Sequence, residues 1–497
     1  MRITNKMMTN NMLMNINKNK VGMNTLEQQY STGKKIQRPS DDPIITARAL
    51  KLRTNLSEID QYFEKNIPDA QNWMDVTESA LSTVNSVLKQ INTYCVQGST
   101  DTLTASDRAS IVQNLEQMKQ QIYQEGNTNY AGRYVFTGYK TDTSLIFTKD
   151  TENLNYTISE HLSGNDIRIE RKVNGGYELS DFNNASETFD DAPTMADTYR
   201  IQLSYDNLAG EDMTSFTYTK KSASGIPVEQ VFDNITTVSA TDDNAYAPAP
   251  GEAHFIYETG ELILGEDAYE ELRSADDIKI TYAKNSFNSG DLRPEHYFDC
   301  ERTDTDKPEL GTIQFTKSKQ EIQYEVNYNQ KLTINTEGSD SISHKIGRDI
   351  DDILNSVNDV LQTEQKIDEV KKRLTDGNLS QADTERYNKM LDQLDTELDL
   401  KKEVMQDAFE RGITSSSDEQ DRVNTALADL GSRANRLKLT ENRLSSQQVD
   451  FEDLLSKNED ADMVDTVIKY NSAETIYNAS LSAAAKVVQN TLLNFLV

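Results

Sequence analysis

The residues of this sequence that could do chemistry are few and poorly grouped for it. The nearest thing to a constellation is His296-Tyr-Phe-Asp-Cys300, where an imidazole four residues from a thiol could be a base beside a nucleophile, or half of a metal site. A base beside a nucleophile needs a third group to orient it, and a structural zinc ion needs two more ligands. Neither is in evidence, so this stretch reads as an ordinary strand or loop with a buried thiol. The other histidines, His161, His254 and His344, are scattered. Asp304-Thr-Asp306 starts like a calcium loop but lacks its glycine and closing glutamate, so it reads as a solvated turn. No phosphate-binding loop, dinucleotide fingerprint, zinc-protease helix or nucleophile elbow occurs. Cys95 and Cys300 are too few for a disulfide framework. The expectation is a protein that is not an enzyme, with no catalytic residue, cofactor or metal.

Composition narrows the class further. Lys and Arg number 51 against 82 Asp and Glu, a net charge of -31, and the hydrophobic fraction is 36% over 497 residues. With a mean hydropathy of -0.70, the core is thin for the length. That suits long helices burying narrow stripes, or several small domains, better than one large globule. Nucleic acid and anionic lipid need clustered cations, so neither is expected as a partner. No run is long and apolar enough to span a membrane, and no cleavable secretory signal is visible after Arg2 and Lys6.

The positioning elements are the two ends. From about Asp462 onward, Tyr477, Leu481, Ala484, Val488 and Phe495 recur at helical spacing, and the apolar pattern runs to Val497. Residues 1–30 give a matching stripe of Met8, Met12, Ile16, Met23, Leu26 and Tyr30. Asn10, Asn11, Asn15, Asn17, Asn19, Asn24 and Gly22 make this a weak helix on its own, marginal until packed. Residues 1–38 carry seven Lys and Arg against one acid, whereas residues 445–497 carry eight acids against three lysines. Pairing of the two ends is expected, although exposed charges contribute little to it.

Tyr30-Ser-Thr-Gly-Lys-Lys-Ile-Gln-Arg-Pro-Ser-Asp-Asp-Pro43 is a joint. Gly33 and Pro39 break the first helix, Ser40 or Asp41 caps the next, and Pro43 fits its first turn. Gly33, Ile36, Asp41 and Asp42 lie in a pattern that resembles the joint following the first helix of bacterial flagellins and their relatives, with Thr32 as an extra residue between Ser31 and Gly33. Helical stripes continue to Gly126, broken at Gly98-Ser-Thr100, with Ser106-Asp107 as the next cap. Gly132-Arg-Tyr-Val-Phe-Thr-Gly138 then resembles the hook-filament junction branch of that superfamily, the type 3 hook-associated proteins.

Residues 140 to about 340 alternate like strands, with runs at 144–148, 156–159, 167–171, 199–205, 215–219, 278–282, 313–316 and 322–328. Phe255–Leu264 reads as a hairpin turning at Thr259-Gly260. Helix returns near His344, turns at Gly377-Asn378, and resumes through Met390, Leu394 and Leu398. A separate long helix is expected to open at Ser415-Ser-Ser-Asp418. Asn435–Asp462 resembles the C-terminal arm of the junction family, and the two resembling arms span roughly three-fifths of the chain.

The expected fold is multidomain α+β. Paired terminal helices (1–42 plus 456–497) lead to a helical rod with a β-hairpin (43–174 plus 341–455), and the rod carries a β-rich insertion (175–340). The resemblance implies a structural subunit of the bacterial flagellum, exported through the type III route without a cleaved signal and assembling at the hook tip to join hook to filament. It implies other copies of the chain, a neighbouring hook-associated protein, flagellin and an export chaperone as partners. A flagellin forming the filament is the alternative within the superfamily. A cell-surface hydrolase or adhesin active through the insertion is the alternative outside it.

Overall fold

The computed structural model describes residues 5–100, 103–183, 188–209, 213–221, 225–242, 244–375 and 379–493. The chain divides into two compact units. The first comprises 1–69, 325–332 and 435–497, and the second 70–324 and 333–434. These bounds differ from the three expected segments.

The first unit holds α1 (Asn5–Thr32), α2 (Pro43–Asp60) and the end of a long helix, and it closes with α9. α2 begins at Asp42, not at Ser40 or Asp41. The Asp42 carboxylate accepts from the backbone N–H of Ile44 at 2.9 Å and Ile45 at 3.1 Å, with Pro43 in the first turn. Asp41 instead accepts from the N–H groups of Gln37 and Arg38, closing the turn before the cap.

The second unit opens with most of α3 (Ile67–Gly98), followed by α4 (Ala105–Glu125). The cap of α4 is Thr104, whose hydroxyl accepts from the Asp107 N–H while the Asp107 carboxylate accepts from the Thr104 N–H. Ser106 has no part in it. The short pair β1 (Asn129–Tyr130) and β2 (Arg133–Tyr134) comes next, then β3 (Leu154–Leu162), β4 (Arg168–Asn174), β5 (Thr194–Gln202), β6 (Phe216–Lys221), β7 (Pro227–Phe232) and β8 (Ile235–Val238). The run continues through β9 (Ala253–Ile256), β10 (Glu261–Leu264), the short helix α5 (Glu266–Leu272), β11 (Asp277–Lys284), β12 (Asp299–Asp304) and β13 (Ile313–Phe315). After β14 (Gln323–Asn327) and β15 (Gln330–Thr333) come the single turn α6 (Gly338–Ser341), α7 (Lys345–Thr375), α8 (Gln381–Glu459) and α9 (Met463–Leu493).

Eleven of the described strands build two sheets around one apolar core, and β1-β2 and β14-β15 are separate two-stranded pairs. One sheet has the order β13-β12-β3-β11-β6-β7, the other β4-β5-β10-β9-β8, and β8 pairs with β9 in parallel. β11 is buried at every second residue, as a strand with one face inward must be, and Ile278, Ile280 and Tyr282 meet Tyr156, Ile158, Phe255 and Leu262 in that core. The boundary expected at 175 does not hold. β3 lies between β12 and β11, and β4 pairs with β5 over seven residues, from Arg168↔Arg200 to Asn174↔Thr194. The Asn174-Gly175-Gly176 turn, with Gly175 at φ +83°, lies within a sheet rather than between domains. Residues 144–148 are not a strand; Ile146 makes one isolated bridge, to Leu292.

The helical part shows why Ser415–Asp418 fails to break the chain. Gly98 and Gly412 leave room where α3, α7 and α8 approach: a Cβ on Gly98 would overlap the Phe409 ring, and one on Gly412 would stand 2.8 Å from Ile353 Cδ1. Asn92 Nδ2 donates to Ser416 Oγ at 2.9 Å and to the Ile413 carbonyl at 3.0 Å. Small, hydrogen-bonded residues are what this crossing needs. Packing there overrides their weak helix propensity, and α8 runs 79 residues unbroken.

Candidate assembly surface

The first unit gathers the residues singled out at the two ends. Gly33, at φ +73°, stops α1 and donates its N–H to Gln29 O at 2.9 Å, the cap that only a glycine adopts cheaply. The chain then runs beside residues 459–461. Lys35 N–H donates to Glu459 O at 2.6 Å, Ala461 N–H donates to Gly33 O at 2.8 Å, and Lys34 bridges Asp460 in antiparallel register. The Lys34 ammonium meets Asp460 at 2.5 Å and Glu459 at 3.4 Å, while Arg53 meets the same Glu459 oxygen at 2.7 Å. The hydrogen bond between them raises the pKa of Lys34 and lowers that of Asp460. Ile36 is half-buried beside this clasp. Glu459 is its centre, and sequence reasoning did not single it out. The available signal was the acidic run Glu459–Asp462 complementing Lys34-Lys35.

α1 ends and α9 begins at the clasp, and the two helices pack along each other, so they run antiparallel. Asp462 caps α9 by accepting from the N–H groups of Val464 and Asp465. Along α1 the inward positions are Thr9, Met12, Ile16, Asn19, Met23, Leu26 and Gln29; along α9 they are Thr466, Tyr470, Ala473, Tyr477, Ser480 and Ala484. Both rows step by threes and fours, as a coiled seam does. Met12, Ile16, Met23, Leu26, Tyr477 and Ala484 of the expected seam therefore lie on the helix–helix contact. Met8, Tyr30 and Leu481 do not. Each is one residue, about 100° of helix, away from an inward position. The Val488 side chain and all of Phe495 lie outside the described residues.

The seam mixes Met12, Ile16, Met23, Leu26 and two tyrosines with small and polar residues, and large apolar side chains also face outward. Val21 is 67% exposed, Val464 72%, Ile468 59%, Ile476 54% and Leu481 43%. On α1 the outward Met7, Met14 and Val21 repeat every seven residues, with Asn10, Asn17 and Asn24 between them. That is a second heptad stripe with asparagine in alternate layers, the device that fixes register in coiled coils at some cost in stability. Surface of this kind marks a contact with another chain more than it stabilises a monomer.

The chemistry-capable residues remain apart from this surface. His296 is buried and its Nε2 lies 3.1 Å from the Ser144 carbonyl; burial pulls its pKa down to about 4. Burial pushes the Cys300 thiol up to about 12, the wrong direction for a nucleophile. Asp304 accepts from the Asp306 N–H at 2.9 Å and Asn153 reaches Asp306, which makes a tied turn. Among the described residues no group of three His, Cys, Asp or Glu side chains could hold a metal ion, and no helix is long and apolar enough to cross a membrane.

Residues 3–141 match the bacterial flagellin N-terminal helical region, and residues 417–496 match the bacterial flagellin C-terminal helical region. Flagellar hook-associated protein 3 of Salmonella typhimurium is 33% identical over 143 residues, 29% of this chain and 45% of that protein. A flagellin of Clostridium tyrobutyricum is 31% identical over 128 residues, 26% of this chain and 34% of that one. The chain thus spans less than half the length of these relatives. Among solved structures, a flagellar hook-associated protein from Vibrio parahaemolyticus aligns over 84% of this chain and all of its own, at 12% identity and a TM-score of 0.36.

Proposed function

We propose that this chain, which belongs to the flagellin superfamily, is a structural subunit of the bacterial flagellum that assembles at the hook tip and joins hook to filament. What supports the reading is the terminal pair, whose α9 inward row is mostly threonine, serine, alanine and tyrosine while Val21, Val464, Ile468, Ile476 and Leu481 stay exposed. Such a pair holds itself together weakly and offers its best apolar surface to neighbours. Other copies of the chain, a hook-associated protein of the adjoining layer and flagellin are the partners this implies. The same reading implies export through the type III route, with a chaperone covering the outward stripes until assembly.

The seam residues Met12, Ile16, Met23, Leu26, Tyr477 and Ala484 hold the pair, and Met8, Tyr30 and Leu481 join the outward contact. Gly33, Asp41 and Asp42 set the joint. The matched flagellin favours a second reading, a filament subunit. Immunogold labelling of intact flagella separates the two. A single band between hook and filament supports the junction; label along the whole filament overturns it.

A further inference from the structure

The outward faces of the two terminal helices differ in chemistry. On α9 the exposed large side chains are the hydrocarbons Val464, Ile468, Ile476 and Leu481, apart from Met463 in the first turn. On α1 three of them are thioethers: Met7 is 51% exposed, Met8 50% and Met14 63%. Six of the chain's 13 methionines lie in the first 23 residues, so they are gathered on the helix that carries the proposed contact. Elsewhere methionine does ordinary core packing, and Met74, Met390 and Met405 are buried. Leucine would serve a helix and an apolar contact as well as methionine does. The exposed thioether has one property that leucine lacks, which is reversible oxidation.

A hydroperoxide oxidises a thioether by oxygen transfer. A sulfur lone pair attacks the terminal peroxide oxygen, the O–O bond breaks and the S–O bond forms, and the remaining oxygen leaves as water or an alcohol once it has taken up the proton. Sulfur loses two electrons and the peroxide gains them. The sulfur must be reachable from solvent. Met7, Met8 and Met14 meet that need in the unassembled chain, whereas Met12 and Met23 are half-buried in the seam. The product is a different kind of surface: a sulfoxide is polar, and burying it against an apolar neighbour leaves its oxygen without a donor. Met7 and Met14 stand one heptad apart with Val21 next in line, so two of these three layers change character together.

We propose that Met7, Met8 and Met14 form an oxidation-sensitive modification site: a hydroperoxide converts them to sulfoxides in the unassembled subunit, and the sulfoxides keep it from joining its neighbours until they are reduced. The site lies wholly in the first unit. Its effect on assembly rests on the role proposed above for the outward stripe. Neighbouring chains that cover the stripe also shield its sulfurs, so the switch acts on subunits before they assemble.

The test treats the purified full chain with hydrogen peroxide, maps its sulfoxides over time by peptide mass spectrometry, and supplies treated and untreated samples to cells that lack the subunit. Met7, Met8 and Met14 should be oxidised roughly tenfold faster than Met74, Met390 and Met405, with the main thermal transition by circular dichroism unmoved. Incorporation at the hook tip, counted by immunogold labelling, should fall by roughly tenfold, because each buried sulfoxide oxygen is left unpaired. Methionine sulfoxide reductase should restore it. Carrying Met7→Leu, Met8→Leu and Met14→Leu together should abolish the loss on oxidation, each sample being compared with its own untreated control. Equal oxidation of exposed and buried methionines, full incorporation of the oxidised chain, no recovery after reduction, or undiminished sensitivity in the substituted chain would each overturn the proposal. Should the substituted chain fail to incorporate, the oxidation order and the recovery on the unaltered chain decide it. An untreated, unaltered chain that never incorporates would instead contradict the flagellar reading, and the switch would fall with it whatever the oxidation order.

Discussion

In the sheets of the second unit, Tyr156, Ile158, Leu262 and Ile278 are wholly buried, whereas the inward row of α9 is Thr466, Tyr470, Ala473, Tyr477, Ser480 and Ala484, of which only Thr466 is fully buried. Large apolar side chains close the first region from within. In the second several are turned outward, as Val464, Ile468 and Ile476. Burial of apolar area is the main stabilising effect in folding, so a region that leaves its large side chains exposed has left most of that stabilisation unrealised. The contrast teaches that the strand-built region is complete as a folded body, whereas the terminal pair keeps large apolar side chains exposed, which under the proposed function other chains would cover.

The largest effect expected from this contrast is loss of a fold. A fragment of residues 175–340 lacks β3, leaving β11 and β12 without the strand between them, and lacks β4, the partner of β5. It should show no cooperative thermal transition by circular dichroism, and starting the fragment at about 150 should restore one. A cooperative transition in the shorter fragment would mean that β3 is dispensable.

Next come single substitutions in the two regions. Ile353→Ala, at a fully buried position, should lower stability by about 2–5 kcal/mol in denaturant titration, while Ile16→Ala in the terminal seam should leave the main transition almost unmoved. Equal losses would erase the distinction. Gly98→Ala should cost about 1–3 kcal/mol, because the Phe409 ring must shift to admit the methyl group. A neutral result would mean that α3 and α8 are less tightly set than their packing indicates.

A smaller effect concerns acid. His344 sits among the rings of Tyr205, Tyr297 and Phe298, and burial, with Arg348 nearby, pulls its pKa from 6.5 down to about 3. The unfolded chain therefore takes up this proton first as pH falls. The contribution is whole above about pH 6.5 and is lost progressively between about 6.5 and 3. His344→Phe should flatten the fall of melting temperature over that window. An unchanged slope would remove His344 from the account.

The helices of both regions were legible in the sequence, since three-and-four spacing survives in any packing. The phase at the ends was not. The inward row includes Thr9, Asn19, Thr466 and Ser480, which carry no hydrophobic signal, so apolar spacing drew in the outward Met8, Tyr30 and Leu481. Glu459 was marked only by its acidic run, because its partners Lys34 and Arg53 lie about 400 residues away in the chain. β7 escaped because five of its six residues are exposed, and the parallel pairing of β8 with β9 has no local turn to announce it. α8 passed through Ser415–Asp418 unbroken because Asn92 and two glycines across the packing decide that point, not local propensity.

The smallest expected effect on stability belongs to the most informative substitution. Leu481→Asp places a charge at a position 43% exposed in the isolated chain, so its melting temperature should match that of the unaltered protein. Should Leu481 face other helices in the assembled layer, the same charge is buried without a partner in every copy. Incorporation at the hook tip, followed by immunogold labelling of cells carrying the variant, should then fall sharply. Normal incorporation, or a fall in melting temperature as large as that of Ile353→Ala, would contradict the claim that the terminal pair is completed by its neighbours.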